Sequence, residues 1–139
     1  MSTHIVRVNG DYHGALRCVA THGPSGATLE TDAPKDNEGR GESFSPTDLV
    51  STALGTCICT ILGIVARRRE LDVAGMRFVV DKEMVNAPRR RIGKLTTTIH
   101  LPAALDKAAR AALERAARAC PVHASLHPDV EAPVTFVYA

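Results

Sequence analysis

The sequence predicts an α+β fold in which antiparallel sheets surround one long, buried central helix. Three observations lead to this prediction. The stretch from Ser45 to Glu70 has helix signals at both ends and no charge between Leu49 and Ala66. Short segments before and after it read as strands, several with alternating apolar and polar residues. A second helical segment, with one apolar stripe, follows the last predicted hairpin.

The composition predicts a single domain, residues 1–139, with a modest hydrophobic core. Aromatic residues make up 4% of the chain and Trp is absent, so the core must consist mainly of Val, Leu, Ile and Ala. The net charge of +2 is too small to indicate a nucleic-acid partner. The sequence also lacks basic patches interleaved with the aromatic residues on which bases stack. We therefore expect no nucleic-acid partner.

Three strands are predicted before the long helix. An Asn-Gly turn at residues 9–12 connects the first two, which gives a small antiparallel meander. Residues 34–44 are polar, glycine-rich and without periodicity, which indicates a loop that leads into the helix. The three predicted strands are residues 4–9, 14–21 and 27–33.

The long helix is predicted from its two ends. Ser45 and Pro46 form a plausible cap and first turn, Asp48 lies in that turn, and arginines at 67–69 close the segment, so both ends complement the helix dipole. A helix with no charged face cannot lie on a surface with one side in water. One small sheet covers only one side, so we expect a partner subunit to cover the other.

A membrane span is the alternative for this helix, because about 18 uncharged residues is the lower limit for crossing a bilayer. Serine and threonine residues make the stretch only moderately apolar, and we expect no signal peptide before it. A buried helix in a soluble domain therefore fits better, and we expect no membrane association.

The second half of the chain adds a hairpin, two helical segments and a strand. Residues 76–84 and 92–101 alternate as strands, and the segment between them forms the turn. Pro102 is predicted to open an amphipathic helix that ends at Cys120, followed by a short helical turn. Residues 130–138 form the last strand.

The four cysteines differ in what their positions predict. Cys18 shares a strand face with apolar residues, which indicates packing. Cys57 and Cys59 lie about 200° apart around the helix, so at most one of them faces a given site. Cys120 precedes Pro121 at the cap position of a possible helix, where amide dipoles are expected to lower the thiol pKa.

Two cysteines far apart in the chain suit peroxide reduction better than a structural bridge. One thiolate attacks the O–O bond and becomes a sulfenic acid, and the second thiol captures it as a disulfide. This chemistry requires a cation that favours the thiolate and a carboxylate that orients the cation. The candidates are Arg17 and Arg40 as cations, and Asp48 or Glu42 as the carboxylate.

A zinc site is a further alternative, because Cys120, His123 and His127 lie close together in the sequence and could combine with Cys57 or Cys59. His127 precedes a proline, which indicates a turn rather than a continuous helix that would present both histidines. The sequence therefore favours no bound metal.

The segments SFSPTDLVSTALGTC at 43–57 and CPVHASL at 120–126 resemble the OsmC/Ohr family of thiol-dependent peroxidases, and more closely its OsmC-like branch. The resemblance extends over essentially the whole chain. It implies an intertwined homodimer with active sites at the subunit interface. It also implies that Cys57 is the peroxidatic and Cys120 the resolving cysteine, with organic hydroperoxides as substrates and a thiol reductant. Independently of the resemblance, we expect no cofactor and a cytoplasmic location.

The chain departs from the family pattern around this cysteine pair. Better-studied members have a glutamate directly after the proline of the helix motif, where this chain has Thr47 followed by Asp48. The predicted hairpin turn, residues 10–14, contains no arginine, so Arg17 or Arg40 must supply the cation. A non-catalytic relative that binds a small hydrophobic ligand in the groove beside Cys57 is therefore the alternative function.

Overall fold

The computed structural model describes residues 4–139, in which three strands precede a long helix and a hairpin, two shorter helices and a strand follow it. This confirms the predicted α+β class. The elements are β1 (Val8–Gly14), β2 (Arg17–His22), β3 (Thr28–Asp32), a 3₁₀ turn (Lys35–Asn37), α1 (Pro46–Arg69), β4 (Arg77–Val85), β5 (Arg91–Leu101), α2 (Lys107–Ala117), α3 (Pro121–Ser125) and β6 (Val134–Tyr138).

The chain divides into two compact units, Met1–Leu49 and Val50–Ala139. In the first unit β1, β2 and β3 form an antiparallel sheet in chain order. In the second unit β4, β5 and β6 form another three-stranded sheet, also in chain order. The single domain expected from the chain length stays a prediction.

The turn of the first hairpin differs from the prediction. Strand β1 continues through residues 9–12, where Asn9 pairs with Thr21 of β2. The chain reverses instead at Ala15 and Leu16, whose φ angles are 53° and 64°. Two consecutive positive φ values match the twist of a tight hairpin, so the pairing register overrides the Asn-Gly signal.

The sheet of the first unit leaves several apolar side chains exposed in this chain. Cys18 is also exposed, so its predicted packing role is wrong for the isolated chain. Strand alternation determines which residues share a face, but it does not determine whether another layer covers that face. The exposed large apolar residues of the elements and loops from β1 to the start of α1 are Val8, Tyr12, Leu16, Leu29 and Phe44.

Helix α1 begins with a reciprocal cap. The Ser45 hydroxyl accepts a hydrogen bond from the Asp48 backbone N–H at 3.2 Å, and the Asp48 carboxylate accepts one from the Ser45 backbone N–H at 2.9 Å. These bonds satisfy backbone donors that the first turn leaves unpaired. The predicted start of the helix is therefore confirmed, and its end at Arg69 lies one residue before the predicted limit.

One face of α1 is buried in the core of the second unit, and another is exposed. Leu54, Ile58 and Leu62 are 0% exposed and follow one another at four-residue spacing. Thr56 and Thr60 are exposed at the same spacing on another face. In one chain α1 is thus covered only in part, and both its central position and its coverage by a second chain stay predictions.

By length and composition alone, α1 could also cross a membrane, because an 18-residue window within it has a mean hydropathy of 2.1. In the structure 28% of that window is buried. The core helix of a soluble protein passes the same test. The charge-free character of the helix therefore carries little weight as evidence for a membrane span.

The second sheet corrects the expectation of purely antiparallel sheets. Strands β4 and β5 pair antiparallel, but β6 pairs parallel with β5. The connection between β5 and β6 contains α2 and α3, and a helical crossover of this kind allows parallel pairing. Leu95 and Ile99 of β5 are 0% exposed and pack in the same core as Leu113 of α2.

Helix α2 begins later than predicted. Its cap is Asp106, whose carboxylate accepts a hydrogen bond from the Ala109 backbone N–H at 2.8 Å, so Pro102 does not open the helix. An Asp side chain that satisfies a free backbone donor is a stronger start signal than a proline before it. The amphipathic stripe is confirmed, since the buried side chains of α2 are Ala109, Ala112, Leu113 and Ala117.

Candidate active site

Cys57 and Cys59 lie near the middle of α1 and are both half-buried against the core of the second unit. Their two-residue spacing directs them to different sides of the helix. Burial raises the pKa of the Cys59 thiol. Cys59 therefore has the properties of a packing thiol, which stays protonated at neutral pH.

Cys120 is the cap residue of α3, as the Cys-Pro sequence predicts. Its backbone is extended, Pro121 is the first helical residue, and its sulfur accepts a hydrogen bond from the His123 backbone N–H at 3.4 Å. The side chain is almost completely buried, with 1% of Cys120 exposed. Cys120 is thus held by both the core and the first turn of α3.

The structure brings the side chains of Cys57 and Cys120 together. Cys120 belongs to the core cluster against which Cys57 packs, and the Cys57 side chain is close enough to raise the pKa of Cys120, although the residues are far apart in the sequence. All four cysteines of the chain are free thiols, and Cys18 lies exposed in the first unit. Two adjacent free thiols on separate elements can form a disulfide after a small approach of their sulfur atoms.

The pKa of Cys120 corrects a prediction. The cap position was expected to lower this pKa, but burial raises it above the ordinary thiol value. The backbone N–H groups of His123 and Val122 lower it in part, while the neighbouring Cys57 side chain raises it further. Burial outweighs the amide dipoles because removing water disfavours the charged thiolate.

Helix α3 has few anchors besides Cys120. Val122 and Leu126 pack against the core while remaining half-buried. The His123 ring lies on the exposed side, where Nε2 is 3.0 Å from the backbone oxygen of Ala132, which precedes β6. His123 was predicted only as a candidate zinc ligand, and its contact with Ala132 was missed; the one signal for a role near Cys120 is its place three residues further on, one turn along the same helix.

A cavity of about 310 Å³ lies beside this anchor, within the second unit. The His123 ring forms part of its wall, and Val134 and Phe136 of β6 form an apolar part. Glu114 and Arg118 contribute polar side chains from α2 and the residue after it. Neither Cys57 nor Cys120 lines this cavity, so it is distinct from the groove beside Cys57 that the ligand-binding alternative requires.

Arg17 lies at the centre of a carboxylate cluster in the first unit. Its guanidinium contacts Glu42 at 2.6 Å and Glu30 at 2.9 Å, and the buried Asp32 carboxylate lies 3.7 Å away. The hydrogen bond to Glu42 raises the pKa of Arg17, and backbone donation from Glu42 is the main cause that lowers the pKa of Asp32. The cluster holds Arg17 in one orientation. The sequence did not predict that Glu30 and Asp32 help to hold it.

The other predicted members of the activating shell have different surroundings. Arg40 is 74% exposed in its side chain and lies 3.9 Å from Glu42. The Asp48 carboxylate takes part in the cap of α1. A position of Arg17, Arg40 or Asp48 beside the Cys57 thiol stays a prediction.

The histidines of the zinc alternative face other partners. The His123 ring is directed at the Ala132 carbonyl, and His127 Nδ1 accepts a hydrogen bond from the Asp129 backbone N–H at 3.0 Å. Among residues 4–139, no three His, Cys, Asp or Glu side chains lie close enough together to hold a metal ion. The geometry therefore does not favour the zinc alternative.

Comparisons with known proteins give a consistent result. The family model described as OsmC-like protein matches residues 39–134. A solved structure from Psychrobacter arcticus 273-4, described as a candidate osmotic stress induced and detoxification response protein, is 39% identical with a TM-score of 0.87. That alignment covers 99% of this chain and 98% of the other. A comparison with curated proteins found no match.

More distant structures share the fold. An organic hydroperoxide resistance protein from Elizabethkingia anophelis has a TM-score of 0.79 at 13% identity, with 99% of each chain covered. An organic hydroperoxide resistance protein OsmC from Legionella pneumophila has a TM-score of 0.74 at 15% identity, with 98% of each chain covered. At these identities the similarity shows a common fold.

Proposed function

Because this chain belongs to the OsmC-like protein family, we propose that it reduces organic hydroperoxides with the cysteine pair Cys57 and Cys120. The single observation that carries the proposal is the proximity of these two free thiols: both lie in one packed cluster, and the Cys57 side chain raises the pKa of Cys120. The names of two structural relatives, organic hydroperoxide resistance proteins, support the substrate class. The location of the protein in the cytoplasm, where a thiol reductant is available, is part of the proposal.

The exposure of the two thiols supports the assignment of their roles. A peroxide must reach the attacking sulfur, and Cys57 is half-buried whereas Cys120 is 1% exposed. The Cys57 thiolate attacks one peroxide oxygen, which breaks the O–O bond, releases an alcohol and leaves a sulfenic acid. Cys120 then attacks the Cys57 sulfur, and water leaves as the disulfide forms. An external thiol reductant returns both cysteines to thiols by exchange.

The proposed activating cation is Arg17 or Arg40. Arg17 is the better oriented of the two, because carboxylates hold its guanidinium while Arg40 is largely exposed. A fixed guanidinium favours a neighbouring thiolate and polarises a bound peroxide. Glu42 takes the orienting role in this proposal, since it contacts Arg17 and since Asp48 is used in the helix cap.

A thiol count tests the proposed reaction. One equivalent of an organic hydroperoxide should lower the number of thiols by two per chain, measured after denaturation with a chromogenic reagent. In the Cys57→Ser variant the hydroperoxide should not remove a pair of thiols. In the Cys120→Ser variant the reaction should stop at a sulfenic acid on Cys57, which dimedone traps. Cys59→Ser is the matched control and should behave as the unmodified protein does. An unchanged thiol count would overturn the proposal and favour the ligand-binding alternative.

A homodimer is the second part of the proposal. The apolar side chains exposed on the first unit and the exposed Ile64 of α1 support it, because monomeric proteins rarely leave large apolar patches in water. A second copy of the chain would cover both. Sedimentation or light scattering should give twice the mass of one chain, and a monomeric mass at micromolar concentration would contradict this part.

A further inference from the structure

We infer that His123 is a positioning residue, which anchors α3 so that the Cys120 thiol stays within reach of Cys57. The inference rests on the proposed function, because it concerns the step in which Cys120 resolves the oxidised Cys57. Two bonds of His123 lead to it: its backbone N–H donates to the Cys120 sulfur, and its ring contacts the Ala132 carbonyl. One residue therefore connects the resolving thiol with the segment before β6.

Helix α3 needs such an anchor because it is only five residues long. A helix of one turn is not stable by itself, since the cost of nucleating it exceeds the few hydrogen bonds that it forms. None of the residues from Pro121 to Ser125 is fully buried, so apolar packing holds the helix only weakly. Contacts of α3 with neighbouring elements must supply the remaining stability.

The contact between His123 and Ala132 is such a contact, and its chemistry is defined. A carbonyl oxygen only accepts hydrogen bonds, so the His123 Nε2 atom must carry a hydrogen and donate it over the 3.0 Å separation. The ring also forms part of the wall of the 310 Å³ cavity, which leaves open space on one side of it. The hydrogen bond, rather than close packing on all sides, therefore holds the ring in place.

The position of α3 matters most in the resolving step. The sulfur of Cys120 attacks the Cys57 sulfenic acid, the S–S bond forms as the S–O bond breaks, and the leaving hydroxide takes up the Cys120 proton to give water. This attack requires the two Cβ atoms to come within about 3.5–4.5 Å of each other. If α3 loses its anchor, Cys120 is less often in reach, and the sulfenic acid persists long enough to meet a second peroxide.

The test compares three variants in a single turnover with cumene hydroperoxide. His123→Leu removes the ring donor, and we expect disulfide formation to slow about fivefold, which corresponds to one lost hydrogen bond. Hydroperoxide consumption in the first step should keep its rate, while dimedone adducts and sulfinic acid on Cys57 increase. His123→Gln retains a donor near the Nε2 position and should restore most of the rate.

His127→Leu is the matched control, because His127 is the same residue type, lies just beyond α3 and is 70% exposed in its side chain. It should resolve the sulfenic acid at the unmodified rate. If His123→Leu does not fold, His123→Asn replaces it, because its shorter amide cannot reach the carbonyl. The inference would be overturned if His123→Leu, or His123→Asn in its place, formed the disulfide at the unmodified rate. It would also be overturned if His127→Leu or His123→Gln slowed disulfide formation by the same factor.

Diamide separates this inference from the proposed function. It oxidises two neighbouring thiols to a disulfide and is itself reduced to the hydrazine, so no hydroperoxide is needed. The same order of rates among the variants is expected with diamide. If the unmodified protein does not consume hydroperoxide but the diamide rates keep this order, the proposed function fails while the positioning role of His123 is supported.

Discussion

Cys57 lies within α1 and Cys120 caps α3, but the two helices differ in how firmly they are held. Helix α1 has 24 residues and buries Leu54, Ile58 and Leu62 completely. Helix α3 has five residues, none of them buried, and depends on contacts with its neighbours. Cys57 thus lies within a long packed helix, whereas Cys120, although its own side chain is buried, caps a short helix with no other buried residue.

This difference indicates which thiol moves when a disulfide forms. Two neighbouring thiols must approach until their sulfur atoms are about 2.05 Å apart to form a disulfide. Moving α1 would disturb three completely buried side chains, whereas a shift of α3 would disturb one, that of its cap residue Cys120, and a few local contacts. We therefore expect Cys120 to move towards Cys57, with α1 remaining in place.

The largest expected effect tests the rigidity of α1. Leu62→Ala removes a side chain that is 0% exposed and leaves a cavity in the core. We expect the free energy of unfolding to fall by about 2–5 kcal/mol, because lost burial and the cavity both contribute. Urea unfolding followed by circular dichroism measures this change. A loss below about 1 kcal/mol would show that α1 is not the rigid partner of the two helices.

A smaller effect is expected from the same substitution next to α3. Leu126→Ala truncates a half-buried side chain that packs against the core, so we expect a loss of about 1 kcal/mol. The same substitution should raise the hydrogen exchange rate of amides in α3 while those of α1 remain protected. If Leu126→Ala lowered the free energy of unfolding as much as Leu62→Ala does, the two helices would be held equally firmly, contrary to this expectation.

The smallest effect concerns the protonation of Cys120. Because burial raises its pKa, a thiolate titration by ultraviolet absorbance should place Cys120 above the ordinary value of 9.0, with Cys120→Ser as the subtraction control. The folded state then holds this proton more tightly than the unfolded state. The Cys120 proton contributes fully to stability at pH values below the pKa that the thiol has in the unfolded state. This contribution is lost as the pH rises through the pKa of the folded state. A midpoint below 9.0 would show that the amide dipoles outweigh burial.

The positions of most elements followed from local signals in the sequence. The caps of α1 and the apolar stripe of α2 depend on residues within one or two turns, and the structure confirms both. The turn of the first hairpin could not be predicted in this way. The Asn-Gly pair at 9–10 lies within β1, because the register with β2 decides where the chain reverses.

In the candidate site, too, local features were predictable from the sequence and features of tertiary packing were not. The Cys-Pro sequence indicates a thiol at a helix cap, and Cys120 occupies that position. The direction of its pKa shift was predicted wrongly, because burial is a property of the packed core rather than of the cap. The anchoring contact of His123 was also missed, since its partner Ala132 precedes a strand that pairs elsewhere.

By itself the sequence determined the α+β class, the long charge-free helix and the cap position of Cys120, because periodicity and capping depend on near neighbours in the chain. Only the tertiary structure decided that Cys57 meets Cys120, that burial raises the pKa of Cys120, and that β6 runs parallel to β5. Each of these depends on packing between residues that are far apart in the sequence, which no local pattern encodes.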